Sequence, residues 1–176
     1  GLAYLYKSDL IINNIKEITE LDDYNLTRTP FMLKLTWQGE IIYIINNHYK
    51  CCGNGIIENR SDDEEYRRLQ AVNLTKNYII NYLDNENVLL LGDFNDLLSD
   101  EKSNNIFWEF ISDENNYMFT DLYIDCSYKN NWSYPSWPSH LDHILITNEL
   151  FDEFDNPGSK IQTIHVENYF EEGWND

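Results

Sequence analysis

Val88-Leu89-Leu90-Leu91 runs without a polar break into Gly92-Asp93-Phe94-Asn95-Asp96. A strand that is apolar on both faces needs cover on both, which places it in a layered α/β architecture. The residues before it predict its connection. Ser61-Asp62-Asp63-Glu64 has the spelling of a capping box, with the Ser61 hydroxyl taking the Glu64 backbone N–H and the Glu64 carboxylate reaching back. The extra acids suit the positive end of a helix. Tyr66, Leu69, Val72, Ile79, Ile80 and Leu83 then recur three, four or seven residues apart, one apolar stripe on a helix of roughly six turns. Asn85-Glu86-Asn87 closes it. With a strand expected over 40–47, residues 40–94 form a strand, helix, strand unit.

Around this unit the pattern favours strands. Leu2–Tyr6 and Leu10–Ile18 are short, aromatic or β-branched runs separated by Lys7-Ser8-Asp9. Phe31–Trp37 and Glu40–Asn47 flank Gln38-Gly39, a connection that fits a β-hairpin. Cys51-Cys52-Gly53-Asn54-Gly55 reads as a loop able to lie against a ligand. Further strands are expected over Met118–Ile124, Leu141–Thr147 and Ile161–Val166, with short helices over Asn104–Ile111 and after Thr147. Ser127–Ser139 is a polar-aromatic loop holding Trp132, Tyr134 and Trp137. The sum is a single domain, a mixed α/β sandwich.

Composition excludes several functions. The 176 residues carry 12 Lys and Arg against 31 Asp and Glu, a formal net charge of −19. Such a surface does not attract a polyanion by bulk charge, so a phosphate-bearing substrate must be held locally, through a metal. Cys51, Cys52 and Cys126 form no disulfide framework and no zinc-type CxxC pair. No apolar run reaches the roughly 20 residues of a membrane span, and Gly1–Lys7 has no signal-peptide character. Unpaired cysteines lean toward a reducing cytoplasm. The start without Met suggests a missing segment that leaves export open.

Three polar clusters end apolar strands: Asn47-His48-Tyr49-Lys50, Gly92-Asp93-Phe94-Asn95-Asp96 and His140-Leu141-Asp142-His143. Ligands collect beyond strand ends in open α/β sheets, so their convergence would make a site. Singly, each has a structural reading: Asp93 and Asn95 as turn residues, His48 as a satisfied or solvent-facing strand end, Asp142 as a loop hydrogen-bonder. Lys50, Arg60, Arg67 and Arg68 concentrate positive charge nearby, for substrate phosphate or for helix salt bridges. Trp132, Tyr134 and Trp137 suit base stacking or loop packing.

Together the strand-end His48, the stretch Leu89–Asp96 and Leu141-Asp142-His143-Ile144-Leu145 resemble the endonuclease/exonuclease/phosphatase superfamily, with Arg68, Gln70 and Ala71 similar to that family's helix. The resemblance implies a deoxyribonuclease I-like fold, part of a four-layer α/β sandwich with mixed sheets. It implies a bacterial, nuclease-like phosphodiesterase using Mg2+ or Mn2+ on nucleic acid or another phosphoester. A phosphomonoesterase, a lipid phosphodiesterase or a non-catalytic binding member are the alternatives. By resemblance Asp93 handles the attacking water and, with Asn95, the metal. Asn95, His48 and Lys50 hold phosphate, and Asp142 orients a histidine nearer the C-terminus. The family's upstream metal-binding Asn and Glu and its final Ser-Asp-His are not found. Residues 1–176 are therefore expected to be an incomplete domain, inactive alone. His140 and His143, along a strand beside Asp142, are poor substitutes for the general base, and His165 reads as a structural residue inside a strand.

Overall fold

Gln38 and Gly39 both take positive φ, 52° and 98°. Two successive left-handed residues make the turn whose twist matches an antiparallel pair. Strands β2 (Phe31–Trp37) and β3 (Glu40–His48) accordingly pair from Trp37↔Glu40 to Phe31↔Asn46. The computed structural model describes residues 1–124, 127–134 and 139–165. Cys126, Trp137, Val166 and Asp176 lie outside them.

The architecture is α/β. Strands β1 (Ile11–Glu17), β4 (Asn87–Asp93), β5 (Tyr117–Phe119) and β6 (Asp142–Thr147) join the hairpin in one six-stranded sheet of order β1-β2-β3-β4-β6-β5. Among the described residues only β3 and β4 pair in parallel, linked through helix α1 (Glu64–Tyr82), so the expected strand, helix, strand unit is the centre of the sheet. Short helices α2 (Trp108–Ile111) and α3 (Phe151–Phe154) follow β4 and β6. Tyr43, Ile45, Val88, Leu90 and Leu145 form one core with Val72, Tyr78 and Ile79 of α1 and Phe107 and Phe110 beside α2. Leu89 and Leu91, on the other face, are half-buried. No helix among the described residues is long and apolar enough to cross a membrane.

Several expectations need correction. The α1 cap is Asp63, not Ser61: the buried Asp63 carboxylate accepts the Tyr66 N–H at 2.7 Å. An anion at the positive helix end is a stronger acceptor than a hydroxyl. The buried stripe of α1 runs through Glu65, Arg68, Ala71, Val72, Thr75, Tyr78 and Ile79, while Ile80 stays 49% exposed. The helix is turned by an ion-pair cluster that apolar periodicity does not register.

Leu2–Tyr6 is not a strand. Instead of a ladder, the Tyr4 ring stacks on Phe31 at 5.4 Å and its hydroxyl lies 2.7 Å from the Phe31 and Ile44 carbonyls. β5 ends at Phe119, well short of Ile124, because the Asp121 side chain takes the Ile144 N–H at 3.1 Å in place of a backbone partner. Within 104–111 only Trp108–Ile111 is helical, since the Asn105 side chain instead binds the Leu98 and Asp100 carbonyls. Residues 161–165 form no strand. Thr163 and His165 hydrogen-bond the Asn131 and Asn130 carbonyls instead, so His165 is not a strand residue.

Candidate functional site

The three polar strand ends lie side by side. In the ladders His48 is opposite Asp93 and Asp93 is opposite Asp142, so an imidazole and two carboxylates occupy one line across β3, β4 and β6. The Tyr49 N–H donates to the Asp93 carbonyl and the Phe94 N–H to the Leu141 carbonyl, both at 2.9 Å, carrying the pairing past the strand ends. Gly92 permits the approach. Its φ is +134°, and a Cβ there would meet the Asn47 carbonyl oxygen at 2.1 Å. Phe94, beside the row, is fully buried edge-on to Tyr49 and Phe107 and anchors the Asp93–Asn95 turn in the core.

His48 and Asp93 leave 34% and 33% of their side chains exposed, with His48 Nε2 3.8 Å from Asp93 Oδ2. Asp93 Oδ1 accepts the Asn95 N–H at 3.0 Å, and Asn95 sits in the left-handed region at φ 55°. This is a turn of the kind Asp and Asn favour. One Asp93 carboxylate oxygen makes the turn and the other faces His48. Asn95 Nδ2 donates one proton to the Tyr49 carbonyl at 3.1 Å and has a second to give. Burial raises the Asp93 pKa above the usual carboxylate value, and the charge of Asp142 raises it further, against the lowering effect of His48 and Asn95.

Asp142 is exposed. Among the described residues its carboxylate accepts no hydrogen bond, while its backbone N–H donates to Ser133 Oγ at 3.0 Å. Lys50 Nζ donates to the Cys51 carbonyl at 3.1 Å and lies beside the Cys51 sulfur. Two carboxylates held at one strand-end line, one of them destabilised by the other's charge, fit a hard divalent cation that takes oxygen ligands and keeps several waters.

The nearby arginines do not join this row. Arg68 is buried, with Nε 2.8 Å from Asp96 Oδ2, Nη2 3.6 Å from Glu65, and Nη1 donating to the Lys50 and Cys52 carbonyls. Arg67 donates to the Tyr24 carbonyl and stacks on its ring, and Arg60 pairs with Glu58 and Asp62. In the 127–139 loop, Trp132 is half-buried and Tyr134 exposed in an isolated bridge to Ser139.

Sequence reading missed Asp121. Its carboxylate contacts both His140 and His143, on the buried side of the strand that presents Asp142 outward. The only advance signal is the alternation of a strand, which puts Asp142 and His143 on opposite faces.

Residues 1–156 match the endonuclease/exonuclease/phosphatase family. No curated protein matches the sequence. Among solved structures, the endonuclease/exonuclease/phosphatase from Bacteroides vulgatus is 12% identical with a TM-score of 0.52, over 81% of this chain and 57% of that one. The human Nocturnin catalytic domain, solved with bound sulfate, is 18% identical with a TM-score of 0.50, over 79% of this chain and 48% of that one. A humanized TDP2 from D. rerio is 12% identical with a TM-score of 0.50, over 78% and 52%. The chain thus spans about half the length of the solved structures it matches. It belongs to the endonuclease/exonuclease/phosphatase family, and its fold is deoxyribonuclease I-like. That family is a phosphoester-hydrolase scaffold whose enzymes use divalent metals.

Proposed function

We propose that the protein is a nuclease-like phosphodiester hydrolase dependent on Mg2+ or Mn2+, with the His48–Asp93–Asp142 row as its reaction centre. The observation that supports this reading is the register: His48, Asp93 and Asp142 are consecutive partners across three strands. Asp93 and Asn95 would hold the cation, which when bound would supply charge neutralisation for the non-bridging phosphate oxygens and a more acidic water. Asp93 orients the attacking water and takes its proton as the new P–O bond forms. Asn95 donates its second amide proton to a phosphoryl oxygen as negative charge grows there. His48 hydrogen-bonds the scissile phosphate, and Lys50, two residues past the end of β3, pairs with a neighbouring phosphate. Asp142 would orient a histidine supplied from outside the described residues, and that imidazolium would give its proton to the departing oxygen.

In an acidic protein the cation supplies the local attraction that bulk charge denies. The test is a panel of single-stranded DNA, RNA, a phosphodiester lipid and a phosphomonoester, with the intact protein in Mg2+ and in EDTA. Nucleic-acid cleavage that EDTA abolishes, and that Asp93→Ala lowers by roughly 10³-fold or more, is the expected result. Turnover confined to the lipid or the monoester would overturn the nuclease reading. Cleavage indifferent to EDTA and to Asp93→Ala would overturn the site.

A further inference from the structure

Behind the row lies a second convergence of ligating atoms with a different chemistry. Asp121, His140 and His143 are 3%, 7% and 2% exposed. Asp121 Oδ2 is 3.0 Å from His140 Nε2 and 2.6 Å from His143 Nδ1, and the three atoms lie within 4.8 Å of one another. The atoms turned outward are all engaged. His140 Nδ1 lies 2.9 Å from the Asn131 carbonyl and His143 Nε2 lies 2.8 Å from the Asp96 carbonyl. A carbonyl only accepts, so both outward nitrogens carry protons. Asp121 Oδ1 accepts the Ile144 N–H at 3.1 Å.

This fixes what the inward atoms offer. In each neutral ring the inward nitrogen is a lone pair, so two imidazole lone pairs converge on one carboxylate oxygen. Two arrangements satisfy it. Protons on both inward nitrogens put two imidazoliums around one carboxylate in a dry pocket. One divalent cation in place of both protons leaves the same net charge and restores neutral rings. The second is the usual setting of a metal-bound histidine, whose other N–H is held by a carbonyl or carboxylate.

The geometry assigns to Asp121, His140 and His143 a zinc-type metal site, separate from the hard-cation row of Asp93 and Asn95. Two imidazoles and one carboxylate suit first-row transition metals and not Mg2+. Zn2+ fits better than an open ferrous centre, because the space left is small. A cavity of about 20 Å³ bordered by the three residues, Ser99 and Leu97 has room for one water as fourth ligand. Ligand atoms around tetrahedral zinc at 2.0–2.1 Å are ~3.3 Å apart, so the two close pairs open by less than an ångström. Binding is a balanced exchange in which one Zn2+ enters and any protons on the inward nitrogens leave. The ion would tie the turn after β5 and the 129–131 segment to the start of β6, on either side of Asp142.

The test is Zn2+ titration of the chelator-stripped intact protein by calorimetry, with 15N imidazole NMR on the same samples. The expected result is a tight Zn2+ site, resolved from any weaker binding at the row, that is weakened at least ~100-fold by His140→Ala and kept in Asp93→Ala. Zinc should shift Nε2 of one histidine and Nδ1 of another, with both outward N–H protons kept. The NMR result stands on the unmutated protein, so it decides the matter even where His140→Ala does not fold. Binding retained in a folded His140→Ala, binding lost in Asp93→Ala, or ring nitrogens unmoved at saturating Zn2+ would each overturn the assignment.

Discussion

Asp142 and His143 are adjacent in sequence and opposite in circumstance. Asp142 ends its strand in the open, its carboxylate without a hydrogen-bond donor among the described residues, and its charge adds to the strain on Asp93. His143 is buried, and both its ring nitrogens are engaged. The same contrast separates the half-exposed His48–Asp93 pair from the buried Arg68–Asp96–Glu65 cluster behind it. Polar groups that hold the fold are buried and ion-paired, even where one oxygen such as Glu65 Oε2 has no hydrogen bond, whereas those free to meet a ligand are half-exposed and carry mutual repulsion. The alternation of one strand delivers both kinds from neighbouring residues.

That contrast can be broken most forcefully at Arg68. Arg68→Ala leaves the Asp96 and Glu65 carboxylates buried without their cation and should cost about 3–5 kcal/mol in denaturant unfolding. A loss below ~1 kcal/mol would mean that the cluster is not structural.

A smaller effect is expected at Asp100. Burial raises its pKa, and the neighbouring Asp96 carboxyl raises it further, to about 7. The folded state therefore keeps a proton that the unfolded state releases near 4, and stability falls as pH rises from about 4 to about 7. Asp100→Asn should flatten that slope and add ~1 kcal/mol at pH 8 relative to pH 4, allowing for solvent screening. An unchanged slope would remove Asp100 from the cluster.

The smallest change is the one most specific to the row. Asp142→Asn removes the like charge that helps to raise Asp93, so the Asp93 titration followed by carboxyl 13C NMR should move to lower pH. The acid limb of any hydrolytic activity should move with it. A shift to higher pH, or none, would separate the two carboxylates electrostatically.

The central unit was legible in the sequence because local signals agreed there. Gln38-Gly39 dictates the hairpin, and the run Val88–Leu91 dictates a central strand ending at Asp93. His48, Asp93, Asn95 and Asp142 were legible as strand-end residues; the ladders align His48, Asp93 and Asp142, and the turn hydrogen bond keeps Asn95 beside Asp93. The rest depended on distant partners. Glu65 and Arg68 turn α1 by pairing with Asp96, which no apolar periodicity reports. Tyr4 satisfies its hydroxyl on the backbone of β2 and β3, so an alternating aromatic run did not become a strand. Asp121 was invisible because its partners lie 19 and 22 residues away.

The most direct test of the account is where a paramagnetic divalent ion settles. Mn2+ titrated into the intact protein should broaden the NMR signals of the His48 imidazole and the backbone amides of Asp93, Asn95 and Asp142 first, and Asp93→Ala should abolish that broadening. Broadening that spares those four residues, or that survives Asp93→Ala unchanged, would contradict the assignment of the row as the metal-dependent phosphoester site.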